Sequence, residues 1–368
     1  MINNLHLSLL IISIILTIYL VYNLKYKRRI VLNNLDTKTT EGFSKTIEGF
    51  EPAENEVKDV VAKYNEFNNL QSISNKYAKM PLHEYCIKAS YNSACSGKYV
   101  STNMVKEVLK RGCRFLDFEV FHIKEKNIFK PMVAVSSDKS YILLDTKNSV
   151  LLDKILTTVA TNAFSQGSPN NKDPLFINLR IKPNDSNIYH AVATSIDATL
   201  KSVIYGGKIT KETQLKDVMG KVVIIVDKTV NYDYKDNTSC TQEATNCYDL
   251  TKYMNLESGS EYLNLYHYTD LLGHARKPVL LKDDNIHTTS KNMKMVQPDI
   301  VVNKSNPSYK EFIVNHGCQN LLCQFQIVDA NLKILILAIQ YKAVTIKLTI
   351  KPIKLGTLFC KICNVLPV

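Results

Sequence analysis

RGCRFLDFEVF, from Arg111 to Phe121, is the stretch whose pattern decides the fold. Leu116, Phe118 and Val120 alternate with Asp117 and Glu119, and successive strand side chains point to opposite faces, so the segment reads as a β-strand with one apolar face. The two carboxylates are then same-side neighbours about 7 Å apart. Two acids on one face of a short apolar strand repel each other and need a cation, a proton or solvent beside them.

Around this strand, from Pro81 onward, short apolar segments alternate with helical ones, the pattern of βα units in a parallel sheet or barrel. The strands expected are Tyr85 to Ser90, Phe115 to Phe121, Met132 to Val135, Leu175 to Ile181, Val222 to Val226 and Leu321 to Val328. Helices are expected over Asn103 to Leu109, Val150 to Ala163 and Ile188 to Val203. Within Leu175 to Lys182, Leu175, Leu179 and Ile181 oppose Asn178, Arg180 and Lys182, which is unlike a sheet buried on both sides. A barrel accommodates this, since functional side chains gather at the C-terminal ends of its strands. The expected fold is a TIM-type (β/α)8 barrel preceded by an N-terminal transmembrane helix.

That helix is read from Leu7 to Leu24, an uncharged run followed at once by Lys25, Lys27, Arg28 and Arg29. A cleaved signal peptide would carry its positive charge before the apolar run. The basic flank places the rest of the chain in the cytoplasm or inside an enveloped particle, as a single-pass membrane protein. The organisation expected is an anchor over 1–29, a tether with an amphipathic helix over 30–80, a barrel over 81–335 with a polar insert at 229–259, and an apolar, basic tail over 336–368. The amphipathic helix is Glu56 to Ile73, with Val57, Val60, Val61, Tyr64 and Phe67 near helical spacing. A net charge of +12 favours anionic partners. Among the nine cysteines, Cys240 and Cys247 can close a small loop in an oxidising compartment, and Cys360 and Cys363 form a CxxC with no second pair to complete a zinc site.

Five segments in order resemble the phosphoinositide-specific phospholipase C catalytic domain, in both its X-box and Y-box halves. They are PLHEYCIKASYNSA at Pro81, RGCRFLDFEVF, PMVAVSS (Pro131 to Ser137), DPLFINLR (Asp173 to Arg180) and NPSYKEFIVNHGCQNLLCQFQ (Asn306 to Gln326). The resemblance implies a phosphodiesterase in which one histidine pulls the inositol 2-hydroxyl proton and another stabilises the transition state, around a calcium ion. Here the first histidine position is Tyr91, and the second is Val135 or, one residue on, Ser136. A phenol is a poor base at neutral pH and valine moves no proton. Of the implied calcium ligands, Asn92 is kept, Asp117 and Glu119 stand with their side-chain lengths exchanged, and the fourth is Arg180. A guanidinium repels a dication but pairs with carboxylates, so Arg180 is expected to replace the metal and neutralise Asp117 and Glu119 in a polar plug. A lone arginine also stands in for calcium in the metal-independent bacterial branch of this superfamily.

Of the implied substrate contacts, Lys182 and Lys228 remain, while Met295 and Gln297 stand where the family has arginine and tyrosine. His122 and His267 could reach the barrel mouth, whereas His316 reads as structural. Three functions follow as expectations. The first is a membrane-anchored phospholipase C-like module that has lost ordinary turnover and meets anionic phospholipid or inositol phosphate. The second is an active diesterase with a rearranged, metal-independent site using Arg180. The third is a scaffold in an enveloped viral particle. No nucleic acid partner is expected, and the sequence leaves the oligomeric state open.

Overall fold

The computed structural model describes residues 50–64, 72–138, 143–183, 187–238, 247–273, 292–299, 305–338 and 344–346, together with Tyr19 and Cys240. Eight parallel strands form the barrel: β1 (Tyr85–Ser90), β2 (Phe115–Glu125), β5 (Leu175–Ile181), β6 (Val222–Asp227), β7 (Leu256–Ser258), β8 (Leu263–His267), β9 (Met293–Gln297) and β10 (Asn320–Cys323). Their spatial order, β7-β6-β5-β2-β1-β10-β9-β8, is chain order read round a ring opened between β7 and β8. At that seam the Gly259 amide donates to the Leu263 carbonyl at 2.9 Å. Two short strands, β3 (Ile128–Val133) and β4 (Val150–Leu151), extend β2 as an antiparallel flap, and β11 (Val344–Ile346) pairs antiparallel with the start of β1.

Alternation along each strand separates two cores. Leu116, Phe118, Val120, Leu175, Ile177, Leu179, Ile181, Val222, Ile224 and Val226 face outward into the larger core, beneath α2 (Thr102–Lys110), α3 (Leu152–Ala163) and α4 (Ile188–Leu200). Tyr85, Ile87, Ala89, Phe115, Phe176, Val223, Ile225, Met293, Met295 and Leu322 face inward and fill the barrel, which Leu82, Ile209, Leu215 and Val218 close at its N-terminal end. Every residue of β5 is buried. The polar face of Leu175 to Lys182 therefore looks into the barrel interior, as a barrel with a polar mouth requires.

Helix α1 (Phe50–Ala62) begins and ends earlier than its apolar spacing suggested. Val57 and Val60 join the outer core, and the Glu56 carboxylate accepts from Ser96 Oγ (2.6 Å) and from the amides of Lys98 and Tyr99. A hydrophobic face and one well-placed acid thus dock the helix on the loop after β1. The Leu321 to Val328 segment is strand only over Asn320–Cys323, because the next residues turn to bring Asn306 against the Gln324 and Ile327 carbonyls. Strands β7, β8 and β9 were not anticipated.

The single-pass membrane placement is corrected: among the described residues no helix is long and apolar enough to cross a membrane. Apart from Tyr19, Leu7 to Leu24 lies outside the described residues, as do the tether over 30–49, Phe67, Cys360 and Cys363.

Candidate active site: a buried arginine among acids

The inward face of the barrel is apolar at its N-terminal end and turns polar toward the C-terminal ends of the strands. Register fixes the change. Phe115 pairs with Phe176, then Asp117 with Asn178, then Glu119 with Arg180, so two aromatic residues floor a layer of amide and carboxylate beneath a layer of carboxylate and guanidinium. On the neighbouring strand the inward series Val223, Ile225, Asp227 makes the same change.

Arg180 is only 4% exposed, and all five of its N–H bonds are engaged. Nε donates to Asp117 Oδ1 at 3.0 Å and Nη2 to Asp117 Oδ2 at 2.8 Å, a bidentate fork. Nη1 donates to Glu119 Oε1 and, at 3.0 Å, to the Tyr91 hydroxyl. Nη2 also donates to Asn92 Oδ1. The guanidinium carbon lies 4.4 Å from the centre of the Tyr91 ring, which adds a cation–π contact. Although burial opposes its charge, the surrounding acids, Asp117 foremost, hold the guanidinium proton more tightly than usual.

The acids are satisfied too. Asp117 Oδ1 accepts from Asn178 Nδ2 (2.9 Å) and Oδ2 from the Asn92 amide (3.0 Å), while Glu119 Oε2 accepts from the Ser136 amide (2.9 Å). Asn178 is itself held by Ser258 Oγ at 3.0 Å. Asn92 reaches this position with φ of 45°, a left-handed conformation that asparagine tolerates better than most residues. Lys182 Nζ stands 3.9 Å from Glu119 Oε1, and burial pulls the lysine below its ordinary range. Counting Asp117, Glu119, Arg180 and Lys182, the cluster is neutral. Asp227, pushed upward by burial, borders it and accepts from the amide and hydroxyl of Thr229.

The structure thus brings Tyr91, Asn92, Asp117, Glu119, Arg180, Lys182 and Ser136 together. It does not bring in Lys228, whose neighbouring charge is Glu257. Tyr91 is buried and its phenol is pushed above its usual range, chiefly by desolvation, so it holds its proton. Ser136 contributes its backbone amide, while its hydroxyl donates to the Leu143 carbonyl. His122 lies on the outward face of β2, 5.1 Å from the Phe129 ring, because the even-numbered residues of that strand point away from the interior. His267 Nδ1 is 3.0 Å from the Pro298 carbonyl, and His316 lies 3.4 Å from Glu311. Among the described residues, the groups hydrogen-bonded to Arg180, Asp117 and Glu119 include no imidazole. Sequence reasoning missed Asn178 and Ser258 as supports and Gln297 as a candidate. Gln297 continues the inward series Met293, Met295, is 4% exposed, and its Oε1 has no hydrogen-bond partner among the described residues.

Residues 78–228 match the family model described as phosphatidylinositol-specific phospholipase C, X domain. No curated protein sequence matches the chain. Among solved structures, PLC21 of L. pealei is similar at 13% identity with a TM-score of 0.55, and PLC21 of S. officinalis at 16% with 0.54. Both alignments cover 73% of this chain and 37% of the other, so the chain spans little more than a third of those proteins. A calcium-dependent phosphoinositol-specific phospholipase C from a Pseudomonas species aligns over 70% of this chain and 94% of its own, at 12% identity and a TM-score of 0.41.

Family resemblance makes calcium a natural candidate for this site, and the donor set can be tested against it. Calcium takes six to eight oxygens, largely carboxylate. Here the oxygens of Asn92, Asp117 and Glu119 already receive Arg180, and a dication among them would sit against a guanidinium. The residues as arranged do not fit a calcium ion.

Proposed function

We propose that this chain is a phospholipase C-like barrel, related to the phosphatidylinositol-cleaving enzymes, that has lost ordinary turnover and acts as a module meeting anionic phospholipid or inositol phosphate. The observation that carries the reading is the complete use of the Arg180 donors within the protein. A guanidinium that stabilises a phosphoryl transition state must offer N–H groups to phosphate oxygens. Those of Arg180 are spent on Asp117, Glu119, Asn92 and Tyr91. The two family histidine positions hold a tyrosine that keeps its proton and either Val135, which moves none, or Ser136, whose hydroxyl is committed elsewhere. Losing one general acid or base costs about 10²- to 10⁴-fold in rate, so replacing both removes the ordinary reaction.

Binding is supported by the excess positive charge and by the β2–β3 hairpin, whose tip exposes Ile128 and Phe129 (62% and 49%) among Lys124, Lys126 and Lys130. Apolar side chains ringed by lysines suit a peripheral contact with an anionic surface. At the barrel mouth, the unpartnered Gln297 oxygen offers an acceptor to a ligand hydroxyl.

The test is to incubate the full chain with phosphatidylinositol vesicles, once with calcium and once with chelator, and measure released inositol phosphate alongside co-sedimentation. The reading expects no release under either condition and sedimentation that falls as salt rises. Release that disappears in Arg180→Lys would instead favour a metal-independent diesterase.

A further inference from the structure

A second constellation lies at the C-terminal end of the barrel, apart from the arginine cluster. His190 stands in the first turn of α4, just beyond the end of β5, while Cys240 and Cys247 belong to the insert that follows β6. One ligand atom from each of the three side chains lies within 4.8 Å of the other two. His190 Nδ1 is 3.2 Å from Cys247 Sγ and 3.1 Å from the Tyr248 carbonyl. All three residues are half-buried, which shields the group from bulk water but leaves it reachable. The cysteines are joined as a disulfide, with Cα atoms 5.7 Å apart.

We propose that His190, Cys240 and Cys247 form a redox-gated site for a soft divalent cation, zinc being the ion the donor set fits. Two thiolates and one imidazole are three of the four ligands of a tetrahedral zinc centre, and a water molecule completes it. The two oxidation states exclude each other at these sulfurs. A disulfide sulfur carries no negative charge and is a poor ligand, whereas a thiolate binds strongly.

The chemistry balances with a thiol reductant of the glutathione class. Two reductant thiols attack in turn, the Cys240–Cys247 bond breaks, the reductant becomes its own disulfide, and two protein thiols result. Metal binding then releases two protons, one from each thiol, as the two sulfur–metal bonds form. In the disulfide state the atoms beside Nδ1 are a carbonyl oxygen and a sulfur, so Nδ1 carries the ring proton and donates to Tyr248. Ligation through Nδ1 moves that proton to Nε2 by exchange with solvent, the neutral tautomer metal-bound histidines require.

The site would tie the insert to α4 in either state. Its anchoring is already prepared nearby, where Asn231 Nδ2 donates to the Tyr189 hydroxyl at 2.8 Å. Oxidised, the disulfide closes the insert on itself and the His190–Tyr248 hydrogen bond holds it to the helix; reduced without metal, the three side chains are only neighbours; reduced with metal, His190 and the two thiolates are joined through the ion. An insert that stays fastened in both reducing and oxidising surroundings is the consequence.

Cobalt(II) is the probe, because thiolate ligation gives it a charge-transfer absorption and four-coordination gives it intense visible bands. The full chain, reduced and kept anaerobic, is titrated with cobalt and then with zinc. The proposal expects saturation at one cobalt per chain, displacement by zinc, and no bands from the oxidised chain. Cys240→Ser should roughly halve the charge-transfer intensity, and His190→Ala should weaken cobalt affinity about tenfold or more, since even outer-shell changes cost that much. A chain carrying Cys360→Ser and Cys363→Ser should keep its bands. Absence of the bands from the reduced chain, their persistence in a Cys240→Ser, Cys247→Ser double variant, or their loss only with the Cys360 and Cys363 changes would overturn the proposal.

Discussion

Arg180 forms a fork with one carboxylate and shares a second, and removing it would strand two acids in a low-dielectric interior. Breaking a buried ion pair from one side typically costs about 3–5 kcal/mol. Arg180→Met should therefore lower unfolding stability by about that amount in urea titrations, while Arg180→Met combined with Asp117→Asn and Glu119→Gln should recover part of it. Asp173 offers a second test at the same scale. It lies fully buried, Oδ1 accepts from the Ile73 amide, Oδ2 has no partner, and burial raises its pKa to about 6. The folded state thus holds this proton more tightly than the unfolded one. Its stabilising contribution is complete below about pH 4, the unfolded value, and is lost as pH rises through about 6, a change of up to about 3 kcal/mol at 1.36 kcal/mol per unit. Asp173→Asn keeps the acceptor for Ile73 and removes the titration. Its melting temperature should exceed that of the parent chain at pH 7 and lose the advantage near pH 4.

Among the elements, α1 shows how little holds a docked helix in register. Glu56 supplies the polar contacts to Ser96, Lys98 and Tyr99, and charge-assisted hydrogen bonds contribute about 1.5–3 kcal/mol. Glu56→Ala should cost stability in that range and speed amide exchange at Lys98 and Tyr99, with little effect on the distant β9. The same helix shows what the sequence could and could not supply. Its apolar positions Val57 and Val60 were readable from spacing, but its start at Phe50 was not, because the deciding partner, the loop after β1, is some forty residues away. Strands β1, β2 and β5 were legible from alternation, and β6 from its continuous apolar run, Val222 to Val226. Strands β7, β8 and β9 are three to five residues long, too short for periodicity to stand out from loops. Alternation tells that Asn178 and Arg180 share a face, and closure of the barrel buries that face. The supporting roles of Asn178 and Ser258 escaped notice, since neither carries a charge to mark it.

Over the whole molecule, the barrel divides into an apolar floor and a polar mouth, and the choice of residue at one register position separates two kinds of chemistry. With a carboxylate opposite Glu119, the mouth would hold a net negative cage suited to a hard dication. With Arg180 there, the charge is balanced by the chain itself and the mouth needs no metal to fold. A shared fold does not by itself fix the chemistry of the mouth. The pairing of Arg180 with Asp117 and Glu119 was legible in the motifs, while its bonds to Asn92 and Tyr91 and the exhaustion of every guanidinium N–H are facts of three-dimensional packing alone. The most direct measurement is isothermal titration of the full chain with calcium. The arginine-filled mouth predicts no stoichiometric heat and no change in melting temperature at millimolar calcium. Tight binding of one calcium per chain, abolished by Asp117→Asn, would contradict it.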